Sequence, residues 1–486
     1  MILKRVSRWL DDRLGASSFA RSALNKVFPD HWSFMLGEIA MYCFILLVLT
    51  GTYLAFFFST STQEVIYRGA YAPLRGTQVS EAYASVLRIS FEVRAGMVMR
   101  QMHHWAANVF IAAIVAHMMR IFFTGAFRRP REINWIIGVT LLLLGLFNGF
   151  SGYSLPDDLL SGTGLRIAYS IALSIPFVGT WLAFLAFGGE FPAEDIVRRL
   201  FIFHVFIVPA LLALLLSAHL AVIWRQKHTQ FPGKGRTETN VVGSQLWPTY
   251  TAKSVGLFFA IAAVLAAMGG LIQINPVWLY GPFKPAAVSS PAQPDWYLGW
   301  LEGALRIFPN WEFRGFGHAV ANPFFPAVLL PGVTFLALYL WPFLEARFTH
   351  DHSVHHLLDR PSDRPVRTAI GAGAFAFYAL LFFAASNDVM ALLFRVSVGA
   401  VTWTFRILVV TVPFAVAFIV WRLMAGIRAS GSARFLEMPL RAVVVGPGGP
   451  WRREEDAARL EKAREEGERE PPVTEELQTA EPEAET

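Results

Sequence analysis

The sequence predicts an all-α membrane protein with eight transmembrane helices, in which a four-helix bundle is followed by four further helices. Three observations carry this prediction. Of the 486 residues, 54% are hydrophobic and 14% are aromatic, a composition typical of polytopic membrane proteins. Stretches of about twenty mostly apolar residues recur along the chain. Four histidines lie inside two of these stretches at nearly equal spacing.

Eight apolar stretches give the predicted spans. A helix of about twenty residues, rising roughly 1.5 Å per residue, crosses the hydrocarbon core of a bilayer. Because the number of spans is even, both termini are expected on the same side of the membrane. The predicted spans lie near residues 33–58, 96–123, 133–153, 197–224, 253–274, 323–344, 368–387 and 397–424.

Basic residues predict which side that is. Lys and Arg near the ends of spans are retained in the cytoplasm, and they are concentrated at the N-terminus and in the second, fourth and sixth loops. We therefore expect a multi-pass protein of the plasma membrane with both termini in the cytoplasm. The net charge of +6 follows from this topology, so it does not indicate nucleic-acid binding. The residues that set the topology include Lys4, Arg5, Arg128, Arg129, Lys227, Arg236, Arg347 and Arg360.

Composition divides the chain into four predicted segments. Residues 1–30 form an interfacial amphipathic segment, residues 31–240 contain the first four spans, and residues 241–445 contain the last four. Residues 446–486 are rich in Glu, Arg, Ala and Pro and poor in apolar side chains. This composition predicts a charged, disordered cytoplasmic tail, to which we assign no catalytic role.

Four histidines lie within the second and fourth predicted spans. His103 and His117 are fourteen residues apart, and His204 and His219 are fifteen apart. Fourteen residues advance a helix by about 21 Å and return to nearly the same face. Ionisable side chains are rare in membranes, and a neutral imidazole is a common axial ligand of haem iron. The pattern predicts two stacked haems, each between two helices; the alternative is hydrogen-bonded histidines or a proton relay. His104 is expected to pack against or bond a neighbouring helix.

The predicted topology pairs the histidines by depth. His103 and His204 lie toward the outer face, and His117 and His219 lie toward the cytoplasm.

Four glycines repeat the fourteen-residue interval in the first and third spans, as a flat macrocycle packed between helices would require. The alternative for the glycines is close helix packing. They are Gly37, Gly51, Gly138 and Gly152.

Several other polar residues lie in or near the spans. Arg100, Arg120 and Arg199 are near the ends of the histidine-bearing helices, where they could pair with haem propionates. The alternative is that they reach to the membrane interface. Arg406, within the last span, has no evident role. Histidines at positions 350–356 suggest a metal site, but their surroundings favour a solvated polar loop.

Together these residues resemble the cytochrome b subunit of quinol-oxidising cytochrome bc complexes. The resemblance covers roughly residues 30–425 and implies two non-covalent b-type haems, the outer of low and the inner of high potential. Two further runs resemble the actinobacterial branch. The motifs that carry the resemblance are residues 100–120 and 203–219, the four glycines and Pro294-Asp295-Trp296-Tyr297; the actinobacterial runs are residues 152–158 and 228–233.

The resemblance implies a quinol-oxidation pocket near the outer haem, bounded by Pro294 and the three residues after it. A hydroquinone loses protons as its electrons leave, so Asp295 is the candidate proton acceptor. Most relatives carry glutamate there, and this chain has the shorter aspartate. Trp296 and Tyr297 would pack against or orient the quinol ring, and Gly164 would line the pocket. Without the histidines, this motif would be interpreted as a turn with aromatic packing.

A second quinone site is implied beside the inner haem. Lys253 matches the lysine of the family, but the aspartate that follows it in many relatives is Ser254 here. His228, Glu38 and Arg225 are further candidates for this site. Some relatives bind a third haem through a cysteine at the position of Met35, so none is expected here. The only cysteine is Cys43, in the first predicted span, which excludes an internal disulfide.

The resemblance implies one subunit of a respiratory quinol:cytochrome c oxidoreductase that sends the two electrons of quinol to different acceptors and translocates protons. A Rieske iron–sulfur subunit and a cytochrome c subunit would be separate polypeptides in a homodimeric, lipid-embedded complex, in some relatives joined to a terminal oxidase. Actinobacterial likeness favours menaquinone. The alternatives are a di-haem membrane anchor of a dehydrogenase, which needs neither the outer loop motif nor the last four spans, and a haem-free proton-coupled transporter.

Overall fold

The structure is a computed structural model that describes residues 2–287, 293–315 and 317–429. Helices make up most of these residues, and the predicted tail at 446–486 lies outside them. The helices are α1 (Ile2–Leu14), α2 (Ala16–Leu24), α3 (Leu36–Ala55), α4 (Glu81–Phe91), α5 (Gly96–Thr124), α6 (Glu132–Tyr153), α7 (Leu159–Leu173), α8 (Gly179–Phe187), α9 (Ile196–Ile202), α10 (Val208–Gln226), α11 (Thr251–Leu271), α12 (Val277–Tyr280), α13 (Gly299–Ile307), α14 (Leu330–Thr349), α15 (Pro365–Ala384), α16 (Asn387–Phe394) and α17 (Val398–Ala429).

Among the described residues, eight helical segments are long and apolar enough to cross a membrane, as the sequence predicts. Each overlaps one predicted span, and the bounds differ by only a few residues at most ends. The all-α prediction is therefore confirmed. The eight spans are Trp32–Ala55, Gly96–Thr124, Glu132–Tyr153, Ile196–Gln226, Leu246–Leu271, Phe325–Thr349, Pro365–Ala384 and Val398–Ala429.

Three antiparallel strand pairs, each two or three residues long, join loops within the described ranges. By its contacts, Met1–Met424 forms one compact unit, and a second unit begins at Ala425 and is described only as far as Ala429. The strands are β1 (Val27–Phe28) with β4 (Ser244–Gln245), β2 (Glu64–Ile66) with β3 (Gln78–Ser80), and β5 (Phe313–Gly315) with β6 (His318–Val320).

Two spans contain a π-helical turn beside a proline. One such turn, Phe203–Ile207, joins α9 to α10 and is followed by Pro209. Proline has no N–H and its ring excludes the carbonyl of the residue four positions earlier, so the α-helical hydrogen-bond pattern cannot continue through it. The chain widens locally to i→i+5 hydrogen bonds instead. A second such turn is Phe325–Leu329, and the segment Leu246–Tyr250 is kinked at Trp247, whose φ of −114° and ψ of 135° are not helical.

Small residues allow α3, α5 and α11 to pack closely. Ala40, Cys43 and Ala106 are buried at the centre of this contact, together with Leu265 of α11. Gly269 of α11 lies directly against the backbone of α5, because a Cβ added there would be 2.8 Å from the nitrogen of Met102. Close approach through small side chains is the usual way in which helices associate in membranes. Cys43 is fully buried, as expected of a small apolar residue.

The loops on the same side of the bundle as the N-terminus of the chain are joined by a buried arginine. Arg131 donates hydrogen bonds to the carbonyl oxygen of His355 at 2.7 Å and to Nδ1 of His356 at 2.8 Å. The imidazole of His355 bonds instead to Asp351, whose pKa is lowered chiefly by the hydrogen bond from Ser353. The histidines of this loop therefore take part in holding the loops together, which agrees with the polar-loop interpretation.

Loops on the opposite side also pack together. The carbonyl oxygen of Asp157 accepts a hydrogen bond from the backbone of Phe283, and Asp158 forms a β-bridge with Pro282. The side chain of Asp158 caps α7 and is almost fully buried. Burial raises the pKa of Asp158 to about 6, and hydrogen bonds from Ser161 act in the opposite direction. The segments around Asp158 and Pro282, in the loops that follow the third and fifth spans, thus pack against each other.

Arg406, which had no evident role in the sequence, binds the end of a neighbouring helix. Its Nε donates a 2.6 Å hydrogen bond to the carbonyl oxygen of Ile307, the last residue of α13. Its guanidinium also lies 4.8 Å from the ring centroid of Trp403. A cation at the C-terminus of a helix satisfies carbonyl groups that have no partner within the helix. Arg406 therefore fastens the last span to α13.

The contact at Gly269 gives a test of the fold. We expect Gly269→Ala to lower the thermal unfolding temperature of the purified protein, because the added methyl group forces α11 away from α5 at a cost of roughly 1–3 kcal/mol. Gly270→Ala is the matched control on the same helix, since a Cβ at Gly270 meets nothing within 4 Å. Equal unfolding temperatures for the two variants would show that the close contact is not required.

Candidate functional site

Two cavities lie inside the bundle formed by the first four spans. The first has a volume of about 240 Å³ and is lined by His103 and His204. The second has a volume of about 380 Å³ and is lined by His117 and His219. Because a helix rises 1.5 Å per residue, the fourteen residues from His103 to His117 separate the two levels by roughly 21 Å. The structure thus brings the four histidines together in the two pairs expected from the sequence.

The two imidazoles of the first cavity face each other across it. The ring centroids of His103 and His204 are 6.1 Å apart, and the ring planes are inclined by 74°. His103 lies on α5, and His204 lies in the π-helical turn of the fourth span. Both side chains are therefore held by rigid helical backbone from opposite walls.

Hydrogen bonds from the other two helices orient these rings. Nδ1 of His103 is 2.9 Å from the hydroxyl oxygen of Thr50 on α3. Nδ1 of His204 is 3.0 Å from the carbonyl oxygen of Asn148 on α6. A carbonyl oxygen only accepts, so Nδ1 of His204 carries the proton and Nε2 keeps its lone pair. This is the tautomer and the outer-shell support typical of histidines that bind metals.

Each of the four spaced glycines lies against one of the imidazoles. A Cβ added at Gly51 would be 3.0 Å from Cε1 of His103, and one at Gly152 would overlap the ring of His204. In the second cavity, a Cβ at Gly37 would be 3.1 Å from Cε1 of His117. The fourth, Gly138, lies at an ordinary contact distance of 3.7 Å from Cε1 of His219. The absence of side chains therefore leaves room for the histidine rings.

The three predicted propionate partners have different surroundings. Arg100 lines the first cavity and donates to the carbonyl oxygen of Asn275 through Nη1 and Nη2. Arg120 lines the second cavity, where its buried Nε and Nη1 have no hydrogen-bond partner among the described residues. Arg199 lies outside the residues that line the first cavity and donates a 2.5 Å bond to the carbonyl oxygen of Leu185. Two of the three therefore face a cavity.

A carboxylate reaches the first cavity from the loop before α13. Asp295 accepts a 3.0 Å hydrogen bond from the hydroxyl of Tyr297, and its other oxygen is 2.7 Å from Nε2 of His104. Both Asp295 and Tyr297 line the cavity. Burial is the main reason that the pKa of Tyr297 is raised well above its ordinary value. The hydroxyl of Tyr297 therefore stays protonated and donates a hydrogen bond to the carboxylate. Asp295 is thus held from two sides.

The remaining residues predicted for this pocket surround Tyr297 or lie further out. The hydroxyl of Tyr297 packs on Gly149, where a Cβ would be 2.6 Å from it. Gly164 of α7 contacts Tyr153, which lines the cavity, but does not line it directly. Trp296 packs edge-on against Tyr297 and is 38% exposed. Pro294 and Trp296 are likewise not among the lining residues.

The second cavity contains a carboxylate within a cluster of hydroxyl groups. Glu38 of α3 accepts a 2.5 Å hydrogen bond from Ser254 and a 3.3 Å bond from Tyr42. Its other oxygen is bonded by the hydroxyl of Tyr250. His228 also lines this cavity, and burial lowers its pKa to about 4, so its imidazole is neutral at pH 7.

Lys253, predicted to contact quinone, lies away from this cavity. Its side chain is 49% exposed, and Nζ is 2.7 Å from Oδ1 of Asp30. The next residue, Ser254, lines the cavity instead. Lys253 therefore reaches the second cavity only if the ion pair with Asp30 opens.

Sequence reasoning missed three contacts at these sites. The bond between His104 and Asp295 joins residues 191 positions apart. Thr50, which orients His103, is adjacent to the predicted Gly51, and Tyr250 bonds Glu38 across 212 positions. Of these three contacts, the sequence gave an indication only of the one made by His104. Neighbouring helical residues point about 100° apart, so His104 cannot face the same cavity wall as His103 and must meet another part of the chain.

Comparison with known proteins identifies the family. A family model described as "Cytochrome b(N-terminal)/b6/petB" matches residues 108–282. A solved chain from a hyperthermophilic respiratory complex III superposes with a TM-score of 0.63 at 20% identity. The superposition covers 85% of this chain and 99% of that chain. At this identity the likeness supports the fold.

Relatives that share more of the sequence identify the family more closely than the superposition does. The cytochrome b subunit of the cytochrome bc1 complex from Mycobacterium tuberculosis is 53% identical over 430 residues, which are 88% of this chain and 78% of the relative. The corresponding subunit of Corynebacterium diphtheriae is 50% identical over 428 residues, 88% of this chain and 79% of the relative. That of Streptomyces coelicolor is 49% identical over 416 residues, 86% and 76% of the two chains. The resemblance to the actinobacterial branch is confirmed, and the chain belongs to the family of cytochrome b subunits of cytochrome bc1 complexes.

Proposed function

We propose that the chain binds two b-type haems without covalent links, one between His103 and His204 and the other between His117 and His219. Membership of the cytochrome b family implies b-type haems. His103 and His204 would hold one haem iron, and His117 and His219 the other, because neutral imidazole is a common ligand of haem iron. The facing imidazoles of His103 and His204, with ring centroids 6.1 Å apart across a cavity, are the observation that carries the proposal.

The cavity arginines also fit a haem. A buried charged group without hydrogen-bond partners is costly unless an anion pairs with it. Nε of Arg100, and Nε and Nη1 of Arg120, are buried and have no partner among the described residues. We propose that these two arginines bind haem propionates. Arg199, which was expected to do so as well, is bonded to Leu185 and is left out of this proposal.

Two bound haems would supply one-electron transfer along the bundle. Protein side chains would supply the proton chemistry. The chain is a subunit of a quinol:cytochrome c oxidoreductase. We assign quinol oxidation to the first cavity because Asp295 lines it beside His103 and His204. A hydroquinone must lose two protons as it is oxidised, and a carboxylate within hydrogen-bond reach can accept one of them at a time.

The contacts of Asp295 suit this role. Hydrogen bonds from the hydroxyl of Tyr297 and from Nε2 of His104 hold the short aspartate side chain in the cavity, where most relatives have the longer glutamate. Tyr297 would also orient the quinol ring, with Pro294 and Trp296 supporting its loop. Gly164 would act through Tyr153, which it contacts.

Quinone would be reduced in the second cavity. One electron from each quinol would go to a Rieske iron–sulfur subunit and then to a cytochrome c subunit, and the other would cross to the second cavity. His228 lines that cavity, and Lys253 would reach it after release from Asp30. One cysteine in 486 residues cannot ligate an iron–sulfur cluster, so these partners are separate chains. We propose menaquinone as the substrate and a homodimeric assembly that includes a terminal oxidase.

Orientation and domain boundaries complete the proposal. The basic loops indicate that the N-terminal side is cytoplasmic in the plasma membrane. Residues 1–30 would lie at the interface, residues 31–240 would hold both haems, and residues 241–445 would complete the quinol site. The charged segment 446–486 would extend into the cytoplasm. Family membership excludes the dehydrogenase anchor and the transporter as alternatives.

Haem binding is tested by removing one ligand. We expect His117→Leu to lower the haem content from two to one per chain, because the second cavity would keep only one of the two imidazoles that would hold its haem, while the first would keep both. The reduced-minus-oxidised absorbance spectrum and a haem assay measure this. His352→Leu, in an exposed loop, is the control and should keep both haems. Two haems in His117→Leu would contradict this ligand assignment.

Quinol oxidation is tested at Asp295. We expect Asp295→Asn to keep both haems and to lose quinol:cytochrome c turnover on the order of 100-fold, because the amide cannot accept the proton. Steady-state rates of the purified complex, normalised to haem, measure the effect. Asp295→Glu, the residue of most relatives, should retain most of the activity. Unchanged turnover in Asp295→Asn would defeat the role assigned to this carboxylate.

Topology is tested with thiol labelling. Cys43 is the only cysteine and is fully buried, so the chain offers a nearly silent background. We expect Glu64→Cys, between the first two spans, to react with a membrane-impermeant thiol reagent in intact cells. His352→Cys, between the sixth and seventh spans, should react only after the cells are opened. The reverse pattern would place the N-terminal side outside.

A further inference from the structure

We propose that Glu38 is the catalytic proton donor for the quinone reduced in the second cavity. This inference rests on the proposed function, in which that cavity is the site of quinone reduction. Glu38 lies on α3, one residue after Gly37, and its side chain lines the cavity. Among the described lining residues it is the only carboxylate.

The other polar groups of the cavity are poorly suited to donate protons. Arg120 and Arg131 also line it, and a guanidinium does not give up its proton at neutral pH. His228 is neutral at pH 7 because burial lowers its pKa to about 4. The N–H of a neutral imidazole is a hydrogen-bond donor but a very weak acid. Lys227 also lines the cavity, but its ammonium group donates to the carbonyl oxygen of Thr239 at 3.4 Å. Glu38 is the carboxyl group of the lining, so we assign to it the exchange of a proton with a reduced quinone oxygen.

Three hydroxyl groups hold this carboxyl group. Ser254 and Tyr42 bond one oxygen at 2.5 and 3.3 Å, and Tyr250 bonds the other. Ser254 and Tyr42 also bond each other. Each hydroxyl has one O–H, so while Ser254 and Tyr42 bond each other only one of them donates to Glu38, together with Tyr250. These donors stabilise Glu38 as a carboxylate, and a hydroxyl that accepts instead stabilises it as a carboxylic acid. Such a cluster permits the proton to leave and return.

The position of Glu38 accounts for a departure from the family pattern. Many relatives carry an aspartate at the position of Ser254, on α11. In this chain that position has a hydroxyl, and the carboxylate comes from α3 on the facing wall, with 2.5 Å between Glu38 Oε2 and Ser254 Oγ. Glu38 and Ser254 therefore bring a carboxylate from α3 and a hydroxyl from α11 into direct contact.

The proton balance is simple. Conversion of one quinone to its quinol consumes two electrons and two protons, and each carbonyl oxygen becomes a hydroxyl. The electrons arrive singly from quinol oxidised in the first cavity. For each proton delivered by Glu38, its carboxyl O–H bond breaks, an O–H bond forms on the quinone oxygen, and the carboxylate is reprotonated from cytoplasmic water.

The experiment uses the purified complex carrying Asp295→Asn, in which electrons from added menaquinol should enter through the second cavity alone. Stopped-flow absorbance then follows haem reduction by a water-soluble menaquinol analogue. This reaction runs the proposed step backward and releases protons to Glu38. We expect Glu38→Gln to slow it on the order of 100-fold. The double variant Glu38→Ser with Ser254→Asp, which returns the acid to α11, should recover most of the rate.

A second readout is independent of turnover. Redox-difference infrared spectra of the complex with Asp295 intact should show a carboxyl C=O band that is absent from Glu38→Gln and shifted in the double variant. Glu64→Gln, at an exposed carboxylate on the opposite side, is the control and should change neither rate nor band. Haem content and quinone-analogue affinity confirm that the variants are assembled.

The outcomes separate the two proposals. Two haems with an unchanged rate and an unchanged infrared band in Glu38→Gln overturn the role of Glu38 alone. Full turnover of Asp295→Asn contradicts the assignment of Asp295, and the infrared band then decides on Glu38. Loss of the rate in Glu38→Gln without recovery in the double variant, and with the band unaltered, shows that Glu38 is structural and also overturns the proposal.

Discussion

The structure depends on the pair of imidazoles that face each other across the first cavity. Each ring is anchored twice, once by its own helix and once through Nδ1 by a different helix. Thr50 of α3 fixes His103 of α5, and Asn148 of α6 fixes His204 of the fourth span. All four helices of the bundle therefore contribute to the 6.1 Å separation of the rings. A shift of any one of these helices would change the position or the orientation of a ring.

Each cavity is lined by one carboxylate among the described residues. Asp295 serves the first, and Glu38 serves the second. The two acids reach their cavities differently, because Asp295 comes from a loop beyond the bundle whereas Glu38 belongs to a bundle helix. The roughly 21 Å between the histidine levels would keep the two proposed proton-exchange sites near opposite ends of the bundle. Electron transfer between them would then separate charge without any proton crossing the apolar middle of the bundle.

The sequence was enough to predict the spans, the pairing of the histidines and the glycines, because these follow from hydrophobic length and helical period. It did not predict contacts that depend on loops. His104 meets Asp295 only because the loop before α13 folds back over α5. Arg199 was expected at the first cavity, yet it turns to the carbonyl oxygen of Leu185 at the end of α8. No local sequence pattern specifies where the side chains of His104 and Arg199 point, because each orientation depends on how another segment of the chain folds.

The unequal spacing of the histidines has a physical explanation in the fourth span. Fourteen residues separate His103 from His117, but fifteen separate His204 from His219. His204 begins its interval inside the π-helical turn Phe203–Ile207, where each hydrogen bond encloses one more residue than in an α-helix. The π-helical turn therefore accommodates one extra residue without the usual advance along the helix axis. The other fourteen residues then give the same spacing between histidines as in α5. Pro209, which prevents regular α-helical bonding there, is therefore part of the arrangement that brings both histidines of this span to the level of their partners.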